Sequence, residues 1–215
     1  MNRLIQNVYC VGRNYRLHAE ELGNAVPTEP MIFMKPSHAI VSMDGSGDTL
    51  SLPEGRGEIH YETELVLRIA RRYERGMSVE DLVDVIAFGI DFTLRDVQNE
   101  LKKKGHPWTA AKGFLNSAPM TPYIAFPGAA ETAEEDFTLR KNGEIVQRGN
   151  ISNMIFSLQN IVDFIAEHYG LDEGDHIFTG TPEGVGPVGA GDKLEIAYGD
   201  RELGSCIIQF GSSPC

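Results

Sequence analysis

The chain has 215 residues, of which 41% are hydrophobic and 23% charged, with a net charge of −12. That composition supports one domain with a real core and excludes wholesale disorder. No basic run is longer than Lys102-Lys103-Lys104 beside Glu100, which excludes a surface that tracks a phosphate backbone, so no nucleic-acid partner is expected.

In chain order, Val8–Val11 reads as a first strand, Tyr15–Leu22 as a short helix, and Met31–Met34 and Thr49–Leu52 as further strands. Between the last two, Asp44-Gly-Ser-Gly-Asp48 hints at a calcium loop. The distal bidentate Glu such a loop needs is replaced by Gly55, so a tight turn is expected. Ile59–Ile69 reads as a long strand. A helix at Val79–Val83, an apolar run from Val85 to Ile90 closed by Asp91, and a helix over Thr93–Leu101 follow. Phe137–Leu139 and Ile145–Gln147 are strand-like. The strongest helical periodicity covers Asn153–Tyr169, with Ser152 as cap and Gly170 as stop. His176–Thr179, Lys193–Ala197 and Ser205–Phe210 complete the strands. Many strands with few helices and no βαβ alternation predict a β-rich α+β fold, with the first fifty or so residues as a lead-in to a single domain.

Several motif matches carry no chemistry. Gly184-Val-Gly186-Pro-Val-Gly189 fits GxGxxG literally, but Pro187 interrupts it and a strand follows where a dinucleotide site needs a helix N-terminus. No GK[ST], GxSxG or HExxH occurs. Cys10, Cys206 and Cys215 lack CxxC spacing and fit free thiols in a reducing compartment. With no apolar run of signal or membrane-spanning length, a cytoplasmic protein without a membrane partner is expected.

The densest chemistry lies in Gly57–Leu67. In a strand, Glu58, His60, Glu62 and Glu64 share one face, directly before a buried run. Carboxylates so placed repel unless protons or a cation intervene, and oxygen-only ligands favour a hard divalent ion. A solvated edge strand gives the same alternation. Asp91 closes an apolar run, where it serves either as an N-cap or as a third ligand at a strand end. Arg95 and Gln98 follow it at i+4 and i+7, so helical spacing aims a guanidinium and an amide towards Asp91. Phe178-Thr-Gly-Thr-Pro-Glu-Gly-Val-Gly186 offers backbone N–H groups and Thr hydroxyls suited to a substrate carboxylate, or else a plain turn.

Six ordered motifs together resemble the fumarylacetoacetate hydrolase family over nearly the whole chain. They are Tyr9–Tyr15 (YCVGRNY), Phe33–Ser37 (FMKPS), Ile59–Leu65 (IHYETEL), Gly89–Gln98 (GIDFTLRDVQ), Lys104–Lys112 (KGHPWTAAK) and Phe178–Gly186 (FTGTPEGVG). The resemblance is greatest to short, single-domain acylpyruvate hydrolases and oxaloacetate-processing members. It implies a mixed β-sandwich roll, a homodimer, and Mg²⁺ or Mn²⁺ on Glu62, Glu64 and Asp91. It also implies catalytic roles for His18, Glu21, Lys112 and Gln98, with His18 and Glu21 on a lid helix, and a substrate pocket that takes in Arg13, Lys35, Arg95 and Thr181. One departure is Leu115-Asn116 after Lys112-Gly-Phe114, where many relatives continue with Asp, which puts in question how the lysine is supported.

The activity so implied is hydrolysis of a C–C bond in a 3-acylpyruvate, giving pyruvate and a carboxylic acid. His18, oriented by Glu21, activates water, while Lys112 and Gln98 meet the oxyanion. The same site would serve oxaloacetate decarboxylation, enol–keto tautomerisation or diene-dioate isomerisation. A non-catalytic, metal-stabilised binding protein is the alternative of another class.

Overall fold

The computed structural model describes residues 5–21, 23, 25–47 and 49–211. Leu22 at the end of the first expected helix, Asp48 of the expected turn and Cys215 lie outside them.

The strands form a curled, mixed β roll. The largest sheet has the order Met31–Lys35, Val8–Gly12, His176–Phe178, Thr63–Ile69, Val83–Ile90, Ala118–Met120, Ile40–Ser42, with Ile124–Ala125 also paired to Val83–Ile90. Its pairs are antiparallel except Val8–Gly12 with His176–Phe178 and Ile40–Ser42 with Ala118–Met120. A second sheet runs Glu144–Gly149, Phe137–Lys141, Lys193–Tyr198, Arg201–Gly211, Thr49–Pro53, and a small third one joins Gly186–Pro187, Ile59–Tyr61 and Thr93–Leu94. The lead-in thus supplies strands to both larger sheets.

Strand alternation decides what each face meets. Leu65, Leu67, Ile86 and Phe88 point into the main core with Leu139, Leu194, Ile196 and Ile208 of the second sheet. Phe88 spans the two layers, its ring 5.4 Å from Phe137 and 5.2 Å from Tyr198. Val66 and Ala87, on the other face of the same strands, pack with Val8, Cys10 and Phe178 in a separate cluster.

Three sequence expectations are corrected. The long Ile59–Ile69 strand is broken at Glu62, where the chain leaves the small sheet (Ile59–Tyr61) for the large one (Thr63–Ile69). The helix expected from Thr93 begins at Arg95 and runs to Lys104, because Thr93–Leu94 pair with Ile59 and His60. Gly105, at φ 66°, ends it. The helix expected from Asn153 begins at Leu158. Ser157 and Asn160 form its capping box, in place of Ser152. Met154 and Ile155 are instead held extended by Tyr15 and Asn14, and Asn150 caps a separate short turn over Ile151–Asn153. Leu158, Ile161, Val162 and Ile165 fill the buried face of this helix, each contributing up to roughly 1.5–3 kcal/mol.

Candidate active site

Glu62, Glu64 and Asp91 converge from three elements: the break between two sheets, a central strand, and the turn after Val83–Ile90. All three are buried, with carboxylate oxygens within 4.8 Å of one another. Backbone pairing fixes the approach, since Asp91 N–H donates to Glu62 O at 2.8 Å and Glu64 lies opposite Gly89 in the sheet. A Cβ on Gly89 would come within 2.8 Å of the Phe178 ring and 3.0 Å of Pro119 O, so only glycine lets the strand lie this close. Asp91 caps no helix, since Leu94 occupies the cap position of Arg95–Lys104.

Three cations surround the carboxylates. Lys112 Nζ donates to Glu62 Oε2 at 2.7 Å and Asp91 Oδ2 at 2.6 Å. Arg95 Nη2 donates to Glu62 Oε1 at 2.6 Å, and Thr93 Oγ1 to the same oxygen at 3.0 Å. Lys35 reaches Asp91 Oδ1 at 2.8 Å. Burial opposes charge on Glu62, but Lys112 and Arg95 outweigh it and hold its carboxyl well below the usual range. Burial likewise opposes charge on Lys112, yet Asp91 and Glu62 hold the ammonium well above the ordinary lysine value. Glu64 is different: burial and then repulsion from Asp91 push its pKa well up, against the Gly180 N–H at 2.8 Å and the charge of Lys112. A buried carboxyl kept from ionising by its neighbours is one that an added divalent cation would relieve. The hard oxygen donors fit Mg²⁺ or Mn²⁺, with Glu62, Glu64 and Asp91 as the residues that would hold it.

The cavity above the triad is lined by Arg13, His18, Arg95, Gln98, Lys112 and Thr181, together with Met31, Phe33, Lys102 and Trp108. Lys35 does not line it: it lies beneath Asp91, its ammonium also donating to the carbonyls of Phe92, Lys112 and Ser117 and to Ser117 Oγ. Gln98 Oε1 accepts from Arg95 Nη1 at 2.8 Å, which leaves the amide NH₂ as the donor facing the cavity.

His18 sits on the Arg16–Glu21 helix with Nδ1 3.6 Å from Glu21 Oε2, longer than a hydrogen bond. Burial lowers its pKa against the pull of Glu62 and Glu21, which favours the neutral imidazole. Glu21 accepts Gly184 N–H on both oxygens at 3.2 Å, tying the helix to the Gly-rich loop. No helix follows that loop: Gly186–Pro187 pair with Tyr61 and His60.

Sequence reading missed the groups that hold this arrangement. Gln147, from the second sheet, accepts Thr63 N–H at 2.9 Å and donates to Thr181 Oγ1 at 2.9 Å, while Thr181 donates to Thr63 O at 2.9 Å. Asn14 donates to Thr179 O at 2.8 Å and accepts Phe156 N–H at 2.8 Å. Support for Lys112 comes through its carbonyl, held by Lys35 and Ser117 Oγ. The departure at Leu115-Asn116 serves another purpose, since Asn116 adopts φ 62° and donates to Ser51 O at 2.9 Å.

Among described residues no helix is long and apolar enough to cross a membrane. The C-terminal family model of fumarylacetoacetate (FAA) hydrolase matches residues 7–211. Oxaloacetate tautomerase FAHD1, mitochondrial, of Bos taurus is 39% identical over 193 residues, 88% of this chain and 86% of that one. Oxaloacetate tautomerase YcgM of Escherichia coli (strain K12) is 35% identical over 209 residues, covering 95% and 93%. The crystal structure of fumarylpyruvate hydrolase from Pseudomonas aeruginosa in complex with Mn²⁺ and pyruvate is 36% identical with a TM-score of 0.85, covering 96% and 91%. With sequence matching from end to end of the described fold, and the acidic triad buried at its centre, the chain belongs to the fumarylacetoacetate hydrolase family.

Proposed function

We propose that the protein is a divalent-metal-dependent enzyme that interconverts the enol and keto forms of oxaloacetate. A bound Mg²⁺ or Mn²⁺ supplies Lewis-acid polarisation of the 2-oxo acid. His18, buried at the cavity wall where burial favours its neutral form, takes a proton from carbon 3 of the keto form. The Lys112 ammonium uses two donors on Glu62 and Asp91 and keeps a third for the oxygen on carbon 2. The Gln98 amide donates from the neighbouring wall. His18 then delivers that proton to the oxygen on carbon 2, so the imidazole ends the cycle neutral and Lys112 stays an ammonium throughout. The Glu21 carboxylate, 3.6 Å from Nδ1, raises the basicity of the imidazole. The observation that carries this reading is the likeness to oxaloacetate tautomerases at 39% and 35% identity, joined to a buried imidazole and a fixed ammonium facing one cavity over the carboxylate triad.

Hydrolysis of a 3-acylpyruvate is the second reading, supported by the likeness to fumarylpyruvate hydrolase at 36% identity. It uses the same groups, with His18 activating water. The deciding assay follows loss of enol-oxaloacetate, CO₂ release and acetylpyruvate cleavage separately, with Mg²⁺ and with excess chelator. Chelator-sensitive enol loss far faster than acetylpyruvate cleavage, and abolished in His18→Ala, supports the tautomerase. Dominant acetylpyruvate cleavage replaces it with the hydrolase.

A further inference from the structure

Positive charge around the cavity exceeds what its carboxylates balance. Glu62 and Asp91 are paired by Arg95, Lys112 and Lys35, and with Glu64 the count is three carboxylates to three cations. Arg13 and Lys102 line the same cavity, and among the described residues neither has a carboxylate at ion-pair distance. A divalent cation on the triad would add to this surplus.

Neither residue is placed there casually. Arg95, Gln98 and Lys102 stand at i, i+3 and i+7 of one helix and so share its face. Lys103 and Lys104 turn to solvent, Lys103 pairing with Glu100 at 2.8 Å. The Lys102 ammonium packs 5.4 Å from the centre of the Trp108 ring, which itself lies 5.8 Å from Phe33. Burial, then the charges of Arg95 and Arg13, lower its pKa from the ordinary lysine value. Arg13 holds φ 59°, a backbone conformation costly for a side chain of its kind. Crowded like charges and a strained backbone at a cavity wall fit a place where an anion arrives.

We propose that Arg13 and Lys102 form a second anion subsite that takes the distal carboxylate of a short 2-oxo dicarboxylate, and so select such substrates over 2-oxo acids with an uncharged tail. This deepens the functional reading above and rests on it for the 2-oxo end. That end is common to both substrate classes, so discrimination must come from whatever meets the far end.

The test uses Lys102→Met, which keeps the apolar stem against Trp108, Lys102→Arg, and Arg13→Asn, since Asn tolerates the left-handed backbone. With Mg²⁺, Lys102→Met and Arg13→Asn are expected to raise KM for oxaloacetate about tenfold to a hundredfold, the range of a charge-assisted contact. In Lys102→Met, kcat for oxaloacetate and KM for acetylpyruvate should change little, and Lys102→Arg should restore the oxaloacetate KM. Trp108 is the sole tryptophan, so its fluorescence reports binding without turnover. Succinate should give a saturable change in the wild type with Mg²⁺ or with chelator, lost in Lys102→Met, while propionate gives none. Equal effects on both substrates, or succinate binding that ignores Lys102, overturns the subsite. Lys102-dependent succinate binding in a protein that turns over neither substrate would leave the subsite standing and sink the functional reading instead.

Discussion

The ammonium of Lys35 lies 2.8 Å from Oδ1 of Asp91, with both side chains shielded from solvent. The same ammonium ties together the carbonyls of Phe92, Lys112 and Ser117. It therefore sets the position of a carboxylate and of the segment carrying Lys112 in one stroke. Lys35→Met leaves those acceptors unmatched in the interior and should cost about 3–5 kcal/mol, read as a lower midpoint in urea denaturation. Unchanged stability with a raised KM would show instead that Lys35 meets the substrate.

Cation binding should stabilise the fold measurably. Burial and Asp91 both disfavour the charged form of Glu64, so a divalent ion that binds only the native triad adds its binding energy to folding. At a hundredfold excess over Kd this is about 2.7 kcal/mol. Mn²⁺ or Mg²⁺ should raise the Tm of the wild type and leave that of Glu64→Ala nearly unmoved, with activity lost on chelation. Equal shifts in both proteins would place the ion elsewhere.

Because burial holds the pKa of His18 below 6.5, the base form persists into mildly acidic solution. The acidic limb of kcat/KM should therefore fall below pH 6.5. Glu21 raises that pKa, so Glu21→Gln should shift the limb further towards acid while reducing the maximal rate. A limb that stays in place would show that His18 is not the titrating base.

His176 makes a stability prediction away from the site. Its Nδ1 bonds to Gly174 O at 3.0 Å and its Nε2 to the Tyr123 hydroxyl at 2.6 Å, and burial lowers its pKa from 6.5. Above pH 6.5 the imidazole is neutral folded and unfolded, so stability is flat. Below it the unfolded chain takes up a proton that the native one resists, and stability falls with pH until the lower folded pKa is reached. Denaturation midpoints at pH 7 and pH 5 should differ less in His176→Gln than in the wild type. An identical pH difference would clear His176 of the effect.

How much of this was legible depended on whether a residue's role follows from its own neighbours in sequence. Glu62, Glu64 and Asp91 stand out beside buried runs, but their own neighbours leave an edge strand and an N-cap open, and only the six ordered motifs together choose the metal triad. The break at Glu62 was hidden, since strand-like residues flank it and alternation continues across it. Ser152 and Ser157 are both sound caps locally; contacts of Met154 and Ile155 with Tyr15 and Asn14 decide between them. Lys102 was read as one of a basic run, although its seven-residue offset from Arg95 carried the signal. Gln147 left no local trace, because its purpose is met by backbone groups in two distant segments.

The strand Val8–Gly12 pairs in parallel with His176–Phe178, and Asn7 also bonds Asp175 across 168 residues. On a ribosome, the strand made first can pair early with Met31–Lys35, but its other edge stays open until nearly the whole chain has emerged. Asn14 and Glu21, which tie the His18 segment to Thr179 and Gly184, wait with it. Assembly of the candidate site is thus a late event, and a nascent chain interrupted before Gly184 carries a carboxylate triad without the contacts that hold the His18 segment beside it.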